Sequence, residues 1–318
     1  MDQEIYHIPA LLPQTIEALA IKPDGHYVDA TFGGGGHSRA ILEALQGSGQ
    51  LYSFDQDNDA LERAKPQAGL TLIHGNFRFL SNFLRYYKAL PVDGILADLG
   101  VSFHHFDDGE RGFSFRSDGP LDMRMNRSAR LTAATVLNSY STERIADLLY
   151  LYGELRQSRR LAAAIVKARE AAPLQTISQL LDIVRPMVNP RQEKKELAQI
   201  FQALRIEVNG ELSALSSFLE QACDDLRPGG RLAIITYHSL EDRLVKNFIK
   251  CGNIEGRQDK DFFGRVNTPL RAVNNKPIVP DAEEVERNPR SRSAKLRVAE
   301  KQPLNLSSPS QKKRCLND

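Results

Sequence analysis

The chain has 318 residues, of which 41% are hydrophobic and 26% are charged, so it can bury a sizeable core and is not globally disordered. Its 42 basic and 40 acidic residues give a net charge of +2, so any contact with nucleic acid must rest on local basic patches. Three scattered cysteines exclude a disulfide scaffold, the spacing of His, Cys and Asp disfavours a metal site, and no apolar run is long enough to cross a membrane. We expect a soluble, cytoplasmic protein, and a homodimer is left open.

The first hundred residues alternate predicted strands and helices. The apolar patterns predict strands at 26–30, 50–54, 70–74 and 92–97, and helices at 10–19, 37–45, 58–65 and 77–87. Such alternation implies right-handed βαβ units and a parallel sheet. The sequence therefore predicts an α/β fold with a Rossmann-like, mostly parallel, doubly wound sheet.

The middle of the chain predicts an all-helical insertion. A helical pattern covers 142–172 with a break at Gly153, Thr176 to Gln179 forms a capping box, and 191–205 is an amphipathic helix. A helix at 212–226, a strand at 231–237 and a helix at 240–249 follow, and loops are expected from 253. We predict an α/β part at 1–105, a helical insertion at 106–210, a second α/β part at 211–300 and a flexible tail at 301–318.

Four consecutive glycines, Gly33 to Gly36, follow the first predicted strand and open a helix. Glycines let a ligand approach the backbone, and the helix start offers free N–H groups. His37 stands where a P-loop needs lysine, and the spacing does not fit the GxGxxG fingerprint of dinucleotide sites. S-adenosylmethionine is the remaining ligand, with Gly33, Gly35, Gly36 and His37 as candidate contacts, and the alternative is a turn without a ligand.

Two aspartates stand at the ends of predicted strands. Asp55 follows the second strand, where a carboxylate can accept both ribose hydroxyls of an adenosine ligand, and Asp98 follows the fourth strand. Asp57 and Asp59 are interpreted as favourable charges at a helix N-terminus. His104 and His105 come just after Asp98, and either one of them faces the site or both are ordinary loop residues.

Basic residues cluster in three places. The segment 110–125 mixes arginines with aromatics and either holds phosphates and bases or packs on the core. Arg156, Arg159, Arg160, Lys167 and Arg169 form a basic helix face, which is often only solvated surface. Residues 287–314 hold nine basic residues and one acidic residue. Ser239 is expected to cap the helix after His238, and a Ser-His-Asp triad is excluded because those two residues are adjacent.

These motifs together resemble the bacterial 16S rRNA cytosine-N4-methyltransferases called RsmH or MraW. The resemblance spans nearly the whole chain and rests on HIPALL at 7, DATFGGGGHS at 29, DGILADLGVS at 93, ERGFSFRSDGPLDMRM at 110, FQALRIEVNGEL at 201, PGGRLAIITYHSLEDRLVK at 228 and NPRSRSAKLR at 288. Two segments depart from the family pattern, Phe103 to His105 and Lys195 to Phe201, and Gln14 replaces a usual glutamate.

The resemblance implies a class I S-adenosylmethionine-dependent methyltransferase with a helical RNA-recognition insertion. It places Gly35, Gly36 and His37 at the amino-acid end of the cofactor and Asp55 at its ribose. It further implies Phe77 at the adenine, Asp98 near the reactive end, and His105 at another cofactor contact.

The implied partner is 16S rRNA in the small ribosomal subunit, and the implied product is N4-methylcytosine at position 1402 in standard rRNA numbering. Asp98, Ser102 and His238 are the candidate catalytic residues that would hold the cytosine amine. Two alternatives remain open. One is a methyltransferase with another acceptor, and the other is a non-catalytic rRNA-binding assembly factor that keeps the fold.

Overall fold

The computed structural model describes residues 9–100, 108–260, 264, 266 and 268–303. The chain forms two compact units. One is built from residues within 1–55, 63–100 and 215–318, and the other from residues within 56–62 and 101–214. We call them the sheet unit and the helical unit. The domain boundaries given above stay a prediction.

Seven strands form one sheet in the order β3-β2-β1-β4-β5-β7-β6. β1 to β5 pair in parallel, whereas β7 runs antiparallel to both β5 and β6. This arrangement confirms the predicted, mostly parallel α/β fold. The strands are β1 (His26–Asp29), β2 (Gln50–Asp55), β3 (Leu70–His74), β4 (Val92–Asp98), β5 (Leu226–Thr236), β6 (Leu270–Ala272) and β7 (Lys295–Lys301).

Twelve α-helices are seen within the described residues, and none of these is long and apolar enough to cross a membrane. They are α1 (Leu12–Leu19), α2 (Gly36–Leu45), α3 (Asn58–Glu62), α4 (Leu80–Tyr86), α5 (Ala133–Ser139), α6 (Thr142–Leu151), α7 (Ser158–Ala171), α8 (Ile177–Val184), α9 (Glu193–Asn209), α10 (Glu211–Asp225), α11 (Ser239–Cys251) and α12 (Ala282–Arg287).

The sheet buries apolar side chains on both faces, because successive residues of a strand point to opposite sides. Val28 of β1 lies in a cluster with Phe218 of α10, and its neighbour Tyr27 lies in a second cluster with Leu19 and Ile41 of α1 and α2. Helices therefore cover both faces, which leaves the carboxyl ends of the parallel strands as the edge where ligands bind in such sheets.

The prediction of secondary structure was wrong after residue 253. Loops were expected there, but the chain forms β6, α12 and β7. In β7 the side chains alternate between buried Leu296 and Val298 and the partly exposed Lys295 and Arg297. The basic residues of this run hid the two-residue period of a strand. The predicted break at Gly153 and the Thr176–Gln179 capping box are confirmed.

The helical unit is organised around the buried Arg111. Its side chain is 3% exposed, and Nη1 lies 3.1 Å from Asp57 Oδ2 while Nη2 donates to the carbonyl oxygens of Arg124 and Met125, each at 3.0 Å. Asp57 also accepts the Asp59 N–H through Oδ1 at 3.2 Å, so it serves α3 as well. For the part of segment 110–125 around Arg111, the structure shows packing on the core.

Replacing Arg111 by Ala should lower the free energy of unfolding by about 3–5 kcal/mol, because it leaves the buried Asp57 carboxylate without its main counter-charge. Arg116 lies in the same segment but is exposed, so Arg116→Ala is the matched control and should unfold like the unmodified protein. Denaturant unfolding of both variants measures the difference, and equal midpoints would contradict a structural role for Arg111.

Candidate active site at the carboxyl edge of the sheet

The loop between β1 and α2 is tied to the sheet by the buried Asp29. One of its oxygens accepts a hydrogen bond from the Ser38 hydroxyl at 2.7 Å, and the other accepts the Thr31 N–H at 3.1 Å. Ser38 Oγ lies 2.8 Å from Ser53 Oγ on β2. Burial raises the pKa of Asp29 to about 6, and the hydrogen bond from Ser38 opposes that rise. Three segments are thereby joined beneath the glycine loop.

The glycine loop has a conformation that explains two of its four glycines. Gly33 and Gly35 have φ of 51° and 71°, in the left-handed region that favours glycine. The Gly33 N–H donates to Asp55 Oδ2 at 2.8 Å, which links the loop to the end of β2. A Cβ on Gly35 would lie 2.8 Å from the Phe32 ring, whereas one on Gly34 would meet no atom of the described residues within 4 Å. The loop therefore offers open space at Gly34.

The ends of β2 and β3 bring two further predicted residues to this edge. Asp55 pairs in register with His74, and its carbonyl oxygen accepts the Gly75 N–H at 2.8 Å. Phe77 begins a short 3-10 turn after β3, and its ring packs edge-on against Phe218 with centroids 5.2 Å apart. The acid and the aromatic ring thus stand at adjacent strand ends, as sequence reasoning expected.

Asp98 ends β4 and is fixed by two hydrogen bonds, while His37 lies close to its second oxygen. Its N–H donates to Thr31 Oγ1 at 2.7 Å, its Oδ1 accepts the Tyr237 hydroxyl at 2.8 Å, and its Oδ2 lies 3.7 Å from His37 Nδ1. The side chain is 21% exposed. Burial, helped by the nearby Asp29 and Glu241, raises the pKa of Asp98 to about 7, and the hydrogen bond from Tyr237 opposes this rise. This carboxyl group can therefore change charge near neutral pH.

His37 is buried between Ala10 and Asp98. Its Nε2 lies 3.2 Å from the Ala10 carbonyl oxygen, which can only accept, so Nε2 carries the proton. Burial lowers the pKa of His37 to about 4, so the ring is neutral at pH 7. Its unprotonated Nδ1 faces Asp98. The structure shows His37 as a support of the site as well as part of the loop.

His238 caps α11, where Ser239 had been expected to do so. Its Nδ1 accepts the Glu241 N–H at 3.5 Å, and its Nε2 lies 3.1 Å from Glu241 Oε1. Glu241 Oε2 in turn accepts the Tyr237 N–H at 3.0 Å. His238 is thus part of the turn that places Tyr237 on Asp98. Ser102 and His105 lie outside the described residues.

Sequence reasoning missed five residues of this site. Asp29 and Ser38 lie within the DATFGGGGHS stretch, and a buried acid at a strand end was a usable signal. Thr31 and Tyr237 carried no sequence signal apart from that of their neighbours. Ser53 lies in a strand with an ordinary alternating pattern. Each of them acts through contacts across strands, which local pattern cannot show.

The groups at this edge fit S-adenosylmethionine by their chemistry. The first turn of α2 offers backbone N–H groups to a carboxylate. Asp55 can accept ribose hydroxyls, Phe77 offers an aromatic face for adenine, and Asp98 provides a carboxylate compatible with a cationic sulfonium. His37, at the position where a P-loop has its phosphate-binding lysine, is neutral and buried.

Replacing Gly35 by Ala should destabilise the protein by about 1–3 kcal/mol, because the backbone is left-handed there and the new methyl group meets Phe32. Gly34→Ala is the matched control, and it should change the free energy of unfolding by less than about 0.5 kcal/mol. Denaturant unfolding measures both, and an unchanged Gly35→Ala midpoint would overturn the described loop conformation.

Comparison with known proteins gives a family for this fold and site. The family model of the MraW methylase family matches residues 4–302. Proteins named "Ribosomal RNA small subunit methyltransferase H" from Bacteroides fragilis and Parabacteroides distasonis are 59% and 60% identical, covering 94% and 93% of this chain and 99% and 97% of theirs. The relative of the same name from Christiangramia forsetii is 50% identical, covering 93% of this chain and 98% of its own.

Among solved structures, an rRNA methylase from Streptococcus thermophilus resembles the chain with a TM-score of 0.37 at 14% identity, covering 91% of this chain and 92% of that one. This likeness is too distant to add to the assignment. The family match covers nearly the whole chain, including all seven strands of the sheet. The chain belongs to the MraW methylase family, and its cofactor is S-adenosylmethionine.

Proposed function

We propose that this chain transfers a methyl group from S-adenosylmethionine to the N4 amine of one cytosine in 16S rRNA, at position 1402, within the small ribosomal subunit. The observation that carries the proposal is Asp98, a partly buried residue whose backbone N–H and carboxyl group are each held by a hydrogen bond beside the glycine loop. The names of the relatives, which cite small-subunit ribosomal RNA, support the substrate class.

The chemistry sets two demands on the protein. The lone pair of the cytosine amine is delocalised into its ring, so acceptors for its N–H groups must favour a pyramidal nitrogen. The amine must also be held in line with the methyl carbon, and alignment alone can supply up to ~7–11 kcal/mol of the barrier. Bound S-adenosylmethionine supplies the electrophilic methyl group.

Asp98 can meet the first demand when it is ionised. Tyr237 occupies Oδ1, and the backbone is fixed by Thr31, so the carboxylate cannot turn freely. We assign it the role of accepting a hydrogen bond from the amine. No strong base is needed beforehand, because the nitrogen becomes acidic as it takes the methyl group, and the ionised Asp98 then accepts the proton that the nitrogen loses.

The helical insertion at 106–210 is the proposed RNA-recognition part. Arg156, Arg159, Arg160 and Lys167 are exposed and can contact phosphates. Several other arginines are engaged within the protein instead. Arg111 binds Asp57, Arg124 binds Asp122, Arg169 donates to the Leu137 carbonyl oxygen, and Arg297 binds Asp242 at 2.6 Å. The target base must be unstacked, which costs a few kcal/mol.

The non-catalytic alternative explains less of the site. An assembly factor that keeps the fold for structure alone has no need of the open space at Gly34 or of a carboxyl group poised near neutrality. The proposal of another acceptor, such as DNA or protein, is settled by identifying the product.

The first test uses small ribosomal subunits from cells that lack this activity, incubated with the purified protein and labelled S-adenosylmethionine. Digestion and mass spectrometry should find N4-methylcytosine at a single 16S site. Asp98→Ala should lose at least about a hundredfold in rate, in line with removal of a positioned electrostatic group. Label in another nucleoside, or near-normal turnover by Asp98→Ala, would refute the assignment.

The rate should depend on pH through Asp98. Because its pKa is about 7 and the ionised form is the active one, the rate should rise as pH increases through 7. Tyr237→Phe removes the hydrogen bond that opposes this raised pKa, so the rising limb should move to higher pH. Tyr52→Phe, on the same sheet but away from Asp98, is the control. An unmoved limb in Tyr237→Phe would show that Asp98 does not set it.

A further inference from the structure

A patch on the outer face of α4 is unlike the rest of the described surface. We call it the α4 ridge, and its members are Arg78, Phe79, Arg85, Tyr86, Tyr87 and Lys88. Phe79, Tyr86 and Tyr87 are 49%, 78% and 39% exposed, and they are three of seven large apolar or aromatic side chains exposed in the described part of the chain. A contiguous group of exposed rings on a soluble unit marks a binding surface.

The ridge is also basic. Residues 77–90 contain two arginines and one lysine and no acidic residue. An arginine precedes an aromatic residue at 78–79, in the 3-10 turn before α4, and again at 85–86, at the end of α4. The Arg78 guanidinium lies 5.5 Å from the centroid of the Phe79 ring, so one cation and one ring are already stacked. The ridge thus repeats one cation-and-ring pair.

The backbone of the ridge is held in place by hydrogen bonds to α10 and by buried leucines. Gln221 of α10 accepts the Ser81 N–H at 3.0 Å and donates to the Arg78 carbonyl oxygen at 2.6 Å, while Leu80 and Leu84 are buried. Asp225, whose charge interacts with Arg85, is buried and accepts the Ser81 hydroxyl at 2.7 Å. The exposed rings and cations therefore stand on a fixed backbone, which reduces the entropy lost when a ligand binds.

Rings for stacking combined with cations for phosphates are the features that bind single-stranded nucleic acid. The ridge begins at Arg78, the residue after Phe77, at the edge of the sheet that carries the site, and α4 leads from there toward the opposite edge. We propose that the α4 ridge binds a single-stranded segment of the substrate RNA outside the active site. This inference rests on the proposed function for the identity of that RNA.

The test compares a ridge variant, Phe79→Ala, Arg85→Gln, Tyr86→Ala and Lys88→Gln combined, with the unmodified protein. A labelled single-stranded RNA oligonucleotide is the binding probe, and subunit methylation is the second readout. Stacking of one or two bases implies that the dissociation constant and the KM for subunits rise about 10- to 100-fold. The kcat at saturation and the dissociation constant for S-adenosylmethionine should stay within twofold. The salt slope of binding should fall by about 1.4 for two lost cations.

The matched control combines Val273→Ala, Val279→Ala and Lys276→Gln, which removes two exposed apolar side chains and one exposed cation elsewhere on the sheet unit. It should bind and methylate normally. Equal RNA binding by the ridge variant and the unmodified protein would overturn the proposal. The proposal would also be overturned if the ridge variant differed from the unmodified protein only in self-association, as measured by sedimentation.

The two proposals can fail separately. If the unmodified protein methylates no cytosine but still binds the oligonucleotide through the ridge, the proposed function fails and the ridge stands. If methylation is normal and the ridge variant shows an unchanged KM and unchanged binding, the ridge proposal fails alone.

Discussion

The carboxyl edge of the sheet depends on the buried Asp29. Its two oxygens bind Thr31 and Ser38, and Ser38 reaches Ser53 of the neighbouring strand. Thr31 then accepts the backbone N–H of Asp98. One carboxyl group therefore sets the positions of the glycine loop, the end of β2 and the end of β4. A buried acid is stable only with such partners, so the network and the loop geometry require each other.

Burial raises the pKa of Asp98, and the closeness of two other acids adds to that rise. Asp29 and Glu241 are the carboxyl groups that oppose ionisation of Asp98, and Tyr237 favours it. Glu241 is itself placed by the turn that presents Tyr237, since it accepts the Tyr237 N–H. The turn after β5 thus places two groups beside Asp98 at the end of β4: Glu241, which raises its pKa, and Tyr237, which lowers it. Opposing effects of this kind keep the pKa of a carboxyl group near neutral pH. The group can then serve as an acceptor and still change between its protonated and ionised forms.

The parts of the site that local sequence pattern predicted are those that sit on the chain in strand-to-helix order. Gly33 and Asp55 could be found because each follows a recognisable strand, and the structure joins them by one hydrogen bond. Tyr237 could not be found in this way, because its role depends on β5 lying beside β4, which is a pairing of distant segments. The strand β7 was missed for a related reason. Its buried residues alternate with basic ones, and the basic charge of the segment was easier to see than the two-residue period of a strand.

Charge patterning overstated the number of arginines that are available to bind RNA. Arg111 and Arg297 lie in basic or aromatic segments, yet both are turned to carboxylates of their own unit, Asp57 and Asp242. Arg78 of the α4 ridge differs, since residues 77–90 hold no acid and its guanidinium lies against the exposed Phe79 ring. A guanidinium already paired with a carboxylate must give up that partner before it can bind a phosphate, whereas one stacked on an exposed ring loses nothing by doing so. The distribution of partners, more than the count of basic residues, therefore determines which surfaces of this protein can attract RNA.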